Sequence, residues 1–132
     1  MAQEAGGGLN MAKKILIIDD EELIIKSLSK LLEKNGYAVF IAKNGQDAII
    51  MAEEKKFDLI LADIRMPGMN GVETVREIYG GKVKKNIPAI FITGYADEIA
   101  EEEAKKLAPE AYLYKPFDTD DLLDKIRKTI GQ

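Results

Sequence analysis

A short apolar run that ends in an acid constrains this chain more than any other feature of its sequence. Leu59–Ala62 has the composition of a strand buried on both faces, Asp63 follows it, and a Met-Pro-Gly turn comes next. The pattern occurs earlier as well, because Ile15–Ile18 leads directly into Asp19 and Asp20. Ligands of open parallel sheets bind beyond the carboxyl ends of the strands. We therefore expect these two strand ends to bring three carboxylates together at a ligand site.

The rest of the chain alternates short apolar runs with amphipathic stretches. The predicted strands are Lys13–Ile18, Tyr37–Ile41, Phe57–Ala62, Ile87–Ile92 and Ala111–Tyr114. Apolar residues at helical spacing predict a helix after each strand, with Asn44, Asn70 and Asp118 as N-caps. Such alternation predicts the α/β class: a three-layer, doubly wound (βα)5 sandwich with a five-stranded parallel sheet and helices on both faces.

Composition narrows the chemistry that the chain can use. The sequence has 132 residues, enough for one domain with a sizeable core, and its net charge of −4 gives no support for a nucleic-acid or membrane partner. It contains neither cysteine nor histidine. This excludes disulfides, thiolate nucleophiles, imidazole bases and metal sites built from Cys or His.

The N-terminal segment differs in composition from the remainder. Residues 1–10 include Gly6–Gly8 and have neither the basic nor the apolar region of a signal peptide, and a second methionine, Met11, follows. We expect residues 1–10 to be a flexible leader or an artefact of cloning, and residues 11–132 to form the domain. No apolar stretch approaches the ~18 residues of a membrane span. Because the sequence shows no export signal, we expect a cytoplasmic location.

Polar residues stand at the ends of four predicted strands: Asp19 and Asp20 at the first, Asp63 at the third, Thr93 at the fourth and Lys115 at the fifth. Clustered carboxylates repel, since a like-charged pair at about 4 Å costs about 4 kcal/mol at an effective dielectric of about 20. A cation relieves this repulsion, and oxygen ligands without His or Cys favour a hard ion, Mg²⁺ before Mn²⁺ or Ca²⁺. Because Mg²⁺ takes one or two carboxylates plus phosphate oxygens, there is room for a phosphoryl ligand.

Taken singly, the same residues also fit ordinary structural roles. The pair Asp19-Asp20 equally suits the N-terminus of a helix, and Tyr112 equally suits an amphipathic strand. Thr93 taken alone better suits a hydrogen-bonded turn, and Lys115 a solvated surface position. Their common placement at strand ends favours one shared site.

Four motifs, in this order and at these separations, resemble the receiver domain of two-component response regulators, which has the chemotaxis-type, flavodoxin-like fold. The motifs are Asp19-Asp20, Asp63–Gly71, Thr93-Gly94 and Tyr112–Phe117, and the resemblance covers Lys14 to Ile130. It implies a sheet of order 2-1-3-4-5. It also implies a phosphoaccepting signalling switch that catalyses at most its own phosphorylation and dephosphorylation.

The resemblance implies a role for each acid of the site. Asp63 would take a phosphoryl group, as an acyl phosphate, from a histidine kinase or a histidine phosphotransfer protein. Asp20 and Asp63 would bind Mg²⁺ directly, and Asp19 mostly through water. The backbone carbonyl of Arg65 would supply a further ligand to the metal.

The resemblance also implies how the site signals. Lys115 and the Thr93 hydroxyl would each contact a phosphoryl oxygen, and Lys115-Pro116 would be a cis peptide. Movement of Thr93 would open space for Tyr112 and change the surface formed by helix 4, strand 5 and helix 5, where a downstream protein would bind. We expect a monomer or weak dimer that contacts neither nucleic acid nor membrane directly.

Three features are particular to this chain. Leu107–Glu110 stands where the family usually has a small Gly-Ala pair before strand five. Arg65 and Tyr95 flank the predicted phosphoryl site and are bulky, so we expect them to shield it from water. The helix predicted over 96–107 has a stripe of mostly alanine and should be the least firmly held element.

Other functions on a parallel sheet fit less well. A flavin mononucleotide carrier needs a Ser/Thr/Gly phosphate loop where this chain has Asp19–Glu22, and a haloacid-dehalogenase-type phosphohydrolase needs a second acid where it has Arg65. No Gly-rich loop with Lys-Ser/Thr is present, which excludes a P-loop protein. The intact acids and Lys115 disfavour a receiver-like scaffold that takes no phosphate. The sequence leaves open whether the chain acts alone or is one domain of a longer protein.

Overall fold

Five strands and five helices alternate through the part of the chain that this computed structural model describes, residues 12–81 and 87–131. The strands are β1 (Lys14–Ile18), β2 (Ala38–Ala42), β3 (Leu59–Asp63), β4 (Ala89–Thr93) and β5 (Ala111–Tyr114). The helices are α1 (Glu22–Lys34), α2 (Gly45–Glu54), α3 (Gly71–Tyr79), α4 (Glu98–Lys105) and α5 (Thr119–Ile130). None of the helices in these ranges has both the length and the hydropathy to cross a membrane. The leader expected at residues 1–10 lies outside the described residues.

The strands form one parallel sheet in the order β2-β1-β3-β4-β5. This confirms the predicted fold class and strand order. Ile18 of β1 pairs with Ala62 of β3, and Asp63 pairs with Ile92 of β4. The carboxyl ends of these three neighbouring strands therefore lie at the same edge.

Each inner strand packs on both faces of the sheet, because successive side chains of a strand point to opposite sides. In β1, Leu16 and Ile18 belong to a core formed with α2, α3 and α4, whereas Ile15 and Ile17 belong to a second core formed with α1 and α5. All five residues of β3 are buried. This double burial holds the ends of β1 and β3 in fixed positions for the site.

Side-chain caps start three helices where the sequence predicts them. The Asn44 side chain accepts the N–H of Asp47 in α2, and Asn70 and Glu73 form a reciprocal capping box at α3. Asp118 accepts two N–H groups of the first turn of α5. These bonds satisfy backbone donors that have no partner inside the helix.

Helix α4 is shorter than the stretch 96–107 predicted from its alanine stripe. The Asp97 side chain accepts the N–H of Ala100 at 3.1 Å, so the helix begins directly after this cap. Beyond its other end, Ala108 has a left-handed φ of 52°, which L residues rarely adopt. The helix has eight residues, and its buried side chains are those of Ala100 and Ala104.

Candidate functional site

Three acids meet at the carboxyl ends of β1 and β3. Asp19 and Asp63 are buried, Asp20 is exposed, and one carboxylate oxygen from each lies within 4.8 Å of the others. The neighbouring strands bring them together, because β1 and β3 pair in parallel up to the residues just before Asp19 and Asp63. The cluster offers a metal ion oxygen ligands alone, and it could therefore bind a hard cation.

The backbone that follows Asp63 is closely packed. The N–H of Ile64 donates to the carbonyl of Ile92 at 3.2 Å, and the N–H of Gly71 donates to the carbonyl of Ile64 at 3.0 Å. A Cβ atom at Gly71 would lie 2.1 Å from the Asp63 carbonyl oxygen, so no other residue fits there without moving the backbone. The start of α3 thus packs directly against the end of β3.

Lys115 reaches the cluster from the end of β5. Its N–H donates to the Thr93 carbonyl at 2.7 Å, and the peptide bond to Pro116 is cis, as the resemblance implied. Its Nζ lies 3.5 Å from Oδ2 of Asp19 and 3.6 Å from Oδ1 of Asp63. The structure therefore brings the predicted lysine and acids together.

A fourth acid, Glu21, belongs to the site as well. Its Oε1 accepts a hydrogen bond from Lys115 Nζ at 2.8 Å. The sequence carried one signal for this residue, its place directly after Asp19 and Asp20. That position does not reveal which acid contacts a lysine 94 residues further along the chain.

Burial and mutual repulsion shift the titration of the cluster. Burial raises the pKa of Asp63 from 3.8 to about 6, and the negative charge of Asp19 adds to this rise. Burial also raises the pKa of Asp19. Burial lowers the pKa of Lys115, but its hydrogen bond to Glu21 and the nearby carboxylates outweigh this and raise it overall. A cation would therefore relieve a charge imbalance that Lys115 alone leaves.

The mouth of the site is a cavity of about 470 Å³, lined by Asp20, Glu21, Arg65, Met66, Pro67 and Tyr95. The Arg65 guanidinium stacks on the Tyr95 ring, with its central carbon 4.0 Å from the ring centroid. Arg65 follows β3 and Tyr95 follows β4, so the stack joins the two strand ends. Tyr95 remains 55% exposed, and the mouth is open to solvent beside it.

Thr93 and Tyr112 occupy adjacent strands, with Thr93 at the end of β4 and Tyr112 opposite Phe91, two residues before that end. The buried Thr93 hydroxyl accepts the N–H of Tyr95 at 3.2 Å and donates to its carbonyl at 3.4 Å. Among the described residues, the buried Tyr112 hydroxyl has no hydrogen-bond partner, and its ring centroid lies 6.4 Å from that of Phe91. Burial raises the pKa of Tyr112 to about 12. The structure therefore places the Tyr112 hydroxyl away from solvent.

Comparison with known proteins agrees with this geometry. The model of the response regulator receiver domain matches residues 15–127. Among solved structures, a CheY-like receiver domain protein from Methanospirillum hungatei JF-1 is 34% identical, with a TM-score of 0.84 over 90% of this chain and 94% of that one. The chemotaxis protein CheY4 of Vibrio cholerae is 30% identical, with a TM-score of 0.81 over 89% of this chain and 98% of that one.

A third solved structure contains a metal. The receiver domain of a sensor histidine kinase from Pseudomonas aeruginosa PAO1, with a magnesium ion coordinated in its active-site cleft, is 28% identical. Its TM-score is 0.81 over 92% of this chain and 99% of that one. Since the family model spans the acidic cluster together with Thr93 and Lys115, the chain belongs to the response regulator receiver domain family.

Proposed function

We propose that Asp63 is the residue through which this receiver domain accepts phosphate, and that the donor is the phosphohistidine of a histidine kinase or histidine phosphotransfer protein. The central position of Asp63 carries this assignment. β3 lies between β1 and β4 in the sheet, so a group on Asp63 has the β1 acids on one side and Thr93 on the other. Lys115 Nζ is 3.6 Å away.

In this reaction a carboxylate oxygen of Asp63 attacks phosphorus. A new P–O bond forms, the P–N bond to the donor imidazole breaks, and its electron pair returns to the ring nitrogen. Lys115 neutralises one phosphoryl oxygen and the Thr93 hydroxyl donates to another. Positioning and charge neutralisation of this kind supply most of the catalysis in phosphoryl transfer.

Mg²⁺ is the ion that we expect at the acidic cluster. Asp20 and Asp63 would hold it directly, Asp19 mostly through water, and the backbone carbonyl of Arg65 would add a ligand. When bound, the ion supplies positive charge beside the phosphoryl oxygens. The oxygen-only cluster and the raised pKa of Asp63 support this choice.

The contacts of Thr93 suggest how phosphorylation would change the surface that binds a downstream protein. A phosphoryl group brings about −1.5 to −2 charges and three acceptor oxygens. When the Thr93 hydroxyl turns to it, the 3.2 and 3.4 Å bonds to Tyr95 are lost, and the loop that leads into α4 is released. The surface of α4, β5 and α5 then binds a downstream protein, and Ile99 and Tyr114 are exposed large side chains on it.

The remaining assignments concern the whole chain. We place the receiver domain at residues 11–132, with 1–10 as a leader or cloning artefact. The domain acts as a switch in the cytoplasm, as a monomer or weak dimer, and modifies no outside substrate.

Labelling experiments test the assignment of Asp63. With acetyl phosphate or candidate kinases and Mg²⁺, the wild type should acquire a hydroxylamine-sensitive acyl phosphate, and Asp63→Asn should acquire none. Asp124→Asn is a matched control, because it makes the same change on an exposed acid of α5. Label that persists in Asp63→Asn would overturn the assignment.

A further inference from the structure

Lys115 is shared among three carboxylates, and the nearest of them belongs to Glu21. The Nζ atom lies 2.8 Å from Oε1 of Glu21, 3.5 Å from Oδ2 of Asp19 and 3.6 Å from Oδ1 of Asp63. Hydrogen bonds from nitrogen to oxygen span about 2.7–3.2 Å. The bond to Glu21 is therefore the well-formed one of the three.

Glu21 is placed to hold this ammonium and has no other side-chain role in the helix. It occupies the N-cap position of α1, yet its side chain caps no N–H group. Its own N–H donates to Oδ1 of Asp19 at 2.9 Å, which fixes it beside the cluster. The Glu21 side chain is 59% exposed, against 14% for Lys115 and 4% for Asp63. The bond therefore directs the ammonium toward the solvent side of the site.

We propose that Glu21 is a positioning residue that holds Lys115 in the unphosphorylated protein and competes with the phosphoryl group for it. The inference rests on the proposed function, because Lys115 must leave Glu21 to reach a phosphoryl oxygen on Asp63. Glu21 also lines the cavity through which the donor enters, and its charge repels an anionic donor there. Both effects slow the formation of the acyl phosphate. The bond to Glu21 is already broken once the phosphoryl group is in place, so the loss of that group depends on Glu21 much less.

The rate of labelling by acetyl phosphate tests the proposal. In this reaction the P–O bond of the donor breaks, acetate leaves with the electron pair, and a P–O bond to Asp63 forms. Glu21→Gln keeps the shape and removes the charge, and should label about two- to fivefold faster, the range expected for a partly exposed ion pair. Hydrolysis of the labelled protein should change by less than about twofold.

Two further variants separate the contact from the overall charge. Glu22→Gln makes the same charge change at the next residue, which pairs with Lys43, and should label at the wild-type rate. Glu21→Asp shortens the side chain by one methylene, so it weakens the contact with Lys115 but keeps the charge at the mouth of the site. It should label faster than the wild type and more slowly than Glu21→Gln. An Asp variant that labels like the wild type, or equal rates for the two Gln variants, would overturn the proposal.

A measurement without phosphate keeps this inference separate from the assignment of Asp63. The ¹⁵N-edited NMR signal of the Lys115 ammonium, assigned with Lys115→Arg, should shift and exchange faster in Glu21→Gln and stay unchanged in Glu22→Gln. An unchanged signal in Glu21→Gln would refute the inference even where Asp63 is labelled as proposed. A changed signal without any labelling of the wild type would refute the proposed function and leave the lysine contact established.

Discussion

Asp63 ends a strand whose five residues are all buried, whereas β5, two places away in the same sheet, has no buried residue. At the neighbouring ends of β1 and β3, Asp19 and Asp63 are both buried, and burial raises the pKa of both. Near the edge strand β5, the buried side chains of helix α4 are those of Ala100 and Ala104. We call the first region the acidic cluster (Asp19, Asp20 and Asp63) and the second the α4–β5 edge.

The two regions contribute little to the stability of the fold, for different reasons. The acidic cluster removes charge from water, and this opposes folding although the backbone there is firmly held. The α4–β5 edge gains little because alanine buries little apolar area, at about 25 cal/mol per Å². A change of charge at the acidic cluster can therefore change the conformation of the α4–β5 edge, since a few kcal/mol are enough to shift a weakly packed element.

The largest expected effect concerns the charge of Asp63. Its pKa is about 6 in the folded protein against an ordinary 3.8, so the native state binds more protons than the unfolded state between about pH 4 and pH 6. The contribution of Asp63 to the free energy of unfolding therefore falls as the pH rises through this window, by about 3 kcal/mol at about 1.4 kcal/mol per pH unit. Without divalent ions at pH 7, we expect Asp63→Asn to be about 2–3 kcal/mol more stable than the wild type. Urea denaturation from pH 3.5 to 7.5 measures this difference.

Two controls accompany that titration. Asp124→Asn should follow the wild-type curve, because the acid it changes is exposed. Mg²⁺ at ten times its dissociation constant should add about 1.4 kcal/mol to the wild type at pH 7 and much less to Asp63→Asn. Equal stability of wild type and Asp63→Asn at pH 7 would mean that the acidic cluster is not destabilising, and the comparison of the two regions would fail.

The second effect concerns the helices on either side of β5. Both α4 and α5 begin with an aspartate cap, Asp97 and Asp118, but α5 buries Leu122, Leu123 and Ile126 where α4 buries two alanines. The two helices also differ in length, eight residues in α4 against twelve in α5, and in the number of N–H groups that the cap accepts, one against two. We expect amide hydrogen exchange in α4 to be about 10- to 100-fold faster than in α5, or about 1.4–2.8 kcal/mol. Uniform protection across all five helices would contradict a loosely held edge.

Much of this fold follows from local sequence patterns. Strands end where apolar runs meet Asp19 and Asp63, and α2 and α3 begin at Asn44 and Asn70, because caps and buried strands are set by neighbours in the chain. Parallel pairing then brings the strand ends to one edge. The location of the acidic cluster at the carboxyl ends of the strands was therefore predictable from the sequence.

The side-chain contacts around the acidic cluster were not predictable from local sequence patterns. The bond between Glu21 and Lys115 and the stack of Arg65 on Tyr95 join residues far apart in sequence, and depend on where long side chains settle. The inward position of the Tyr112 hydroxyl likewise depends on packing rather than on its strand pattern. Rotamers of exposed charged and aromatic residues leave no periodic signal.

A smaller effect is expected from one hydroxyl group at the α4–β5 edge. The Tyr112 hydroxyl is buried without a partner among the described residues, so Tyr112→Phe should raise the free energy of unfolding by about 0.5–1 kcal/mol. Tyr114→Phe removes a hydroxyl that donates to Glu101 at 2.9 Å at an exposed position, and should change stability by less than about 0.5 kcal/mol. Urea denaturation of the two variants measures the contrast. A Tyr112→Phe protein less stable than the wild type would show that this hydroxyl has a favourable partner, and that the edge is better satisfied than its contacts indicate.

The smallest effect lies where the two regions meet. Arg65 comes two residues after Asp63 and Tyr95 precedes α4, so their stack is a direct side-chain contact between the segment that follows β3 and the loop that leads to the α4–β5 edge. Such a pair at an exposed site contributes about 0.5–1 kcal/mol. Because it lines the cavity mouth, Arg65→Ala or Tyr95→Ala should admit water and shorten the lifetime of the acyl phosphate by about two- to fivefold.

The decay of labelled protein after removal of the donor measures this lifetime, and Tyr95→Phe is the matched control. It keeps the ring on which Arg65 stacks and should retain the wild-type lifetime. A longer lifetime in either alanine variant would show that the stack assists hydrolysis instead of shielding the phosphoryl group. The Tyr95 backbone makes both hydrogen bonds with the Thr93 hydroxyl, donating through its N–H and accepting through its carbonyl. Because the alanine variant keeps this backbone, a change in lifetime would report on the ring and not on the contact with Thr93.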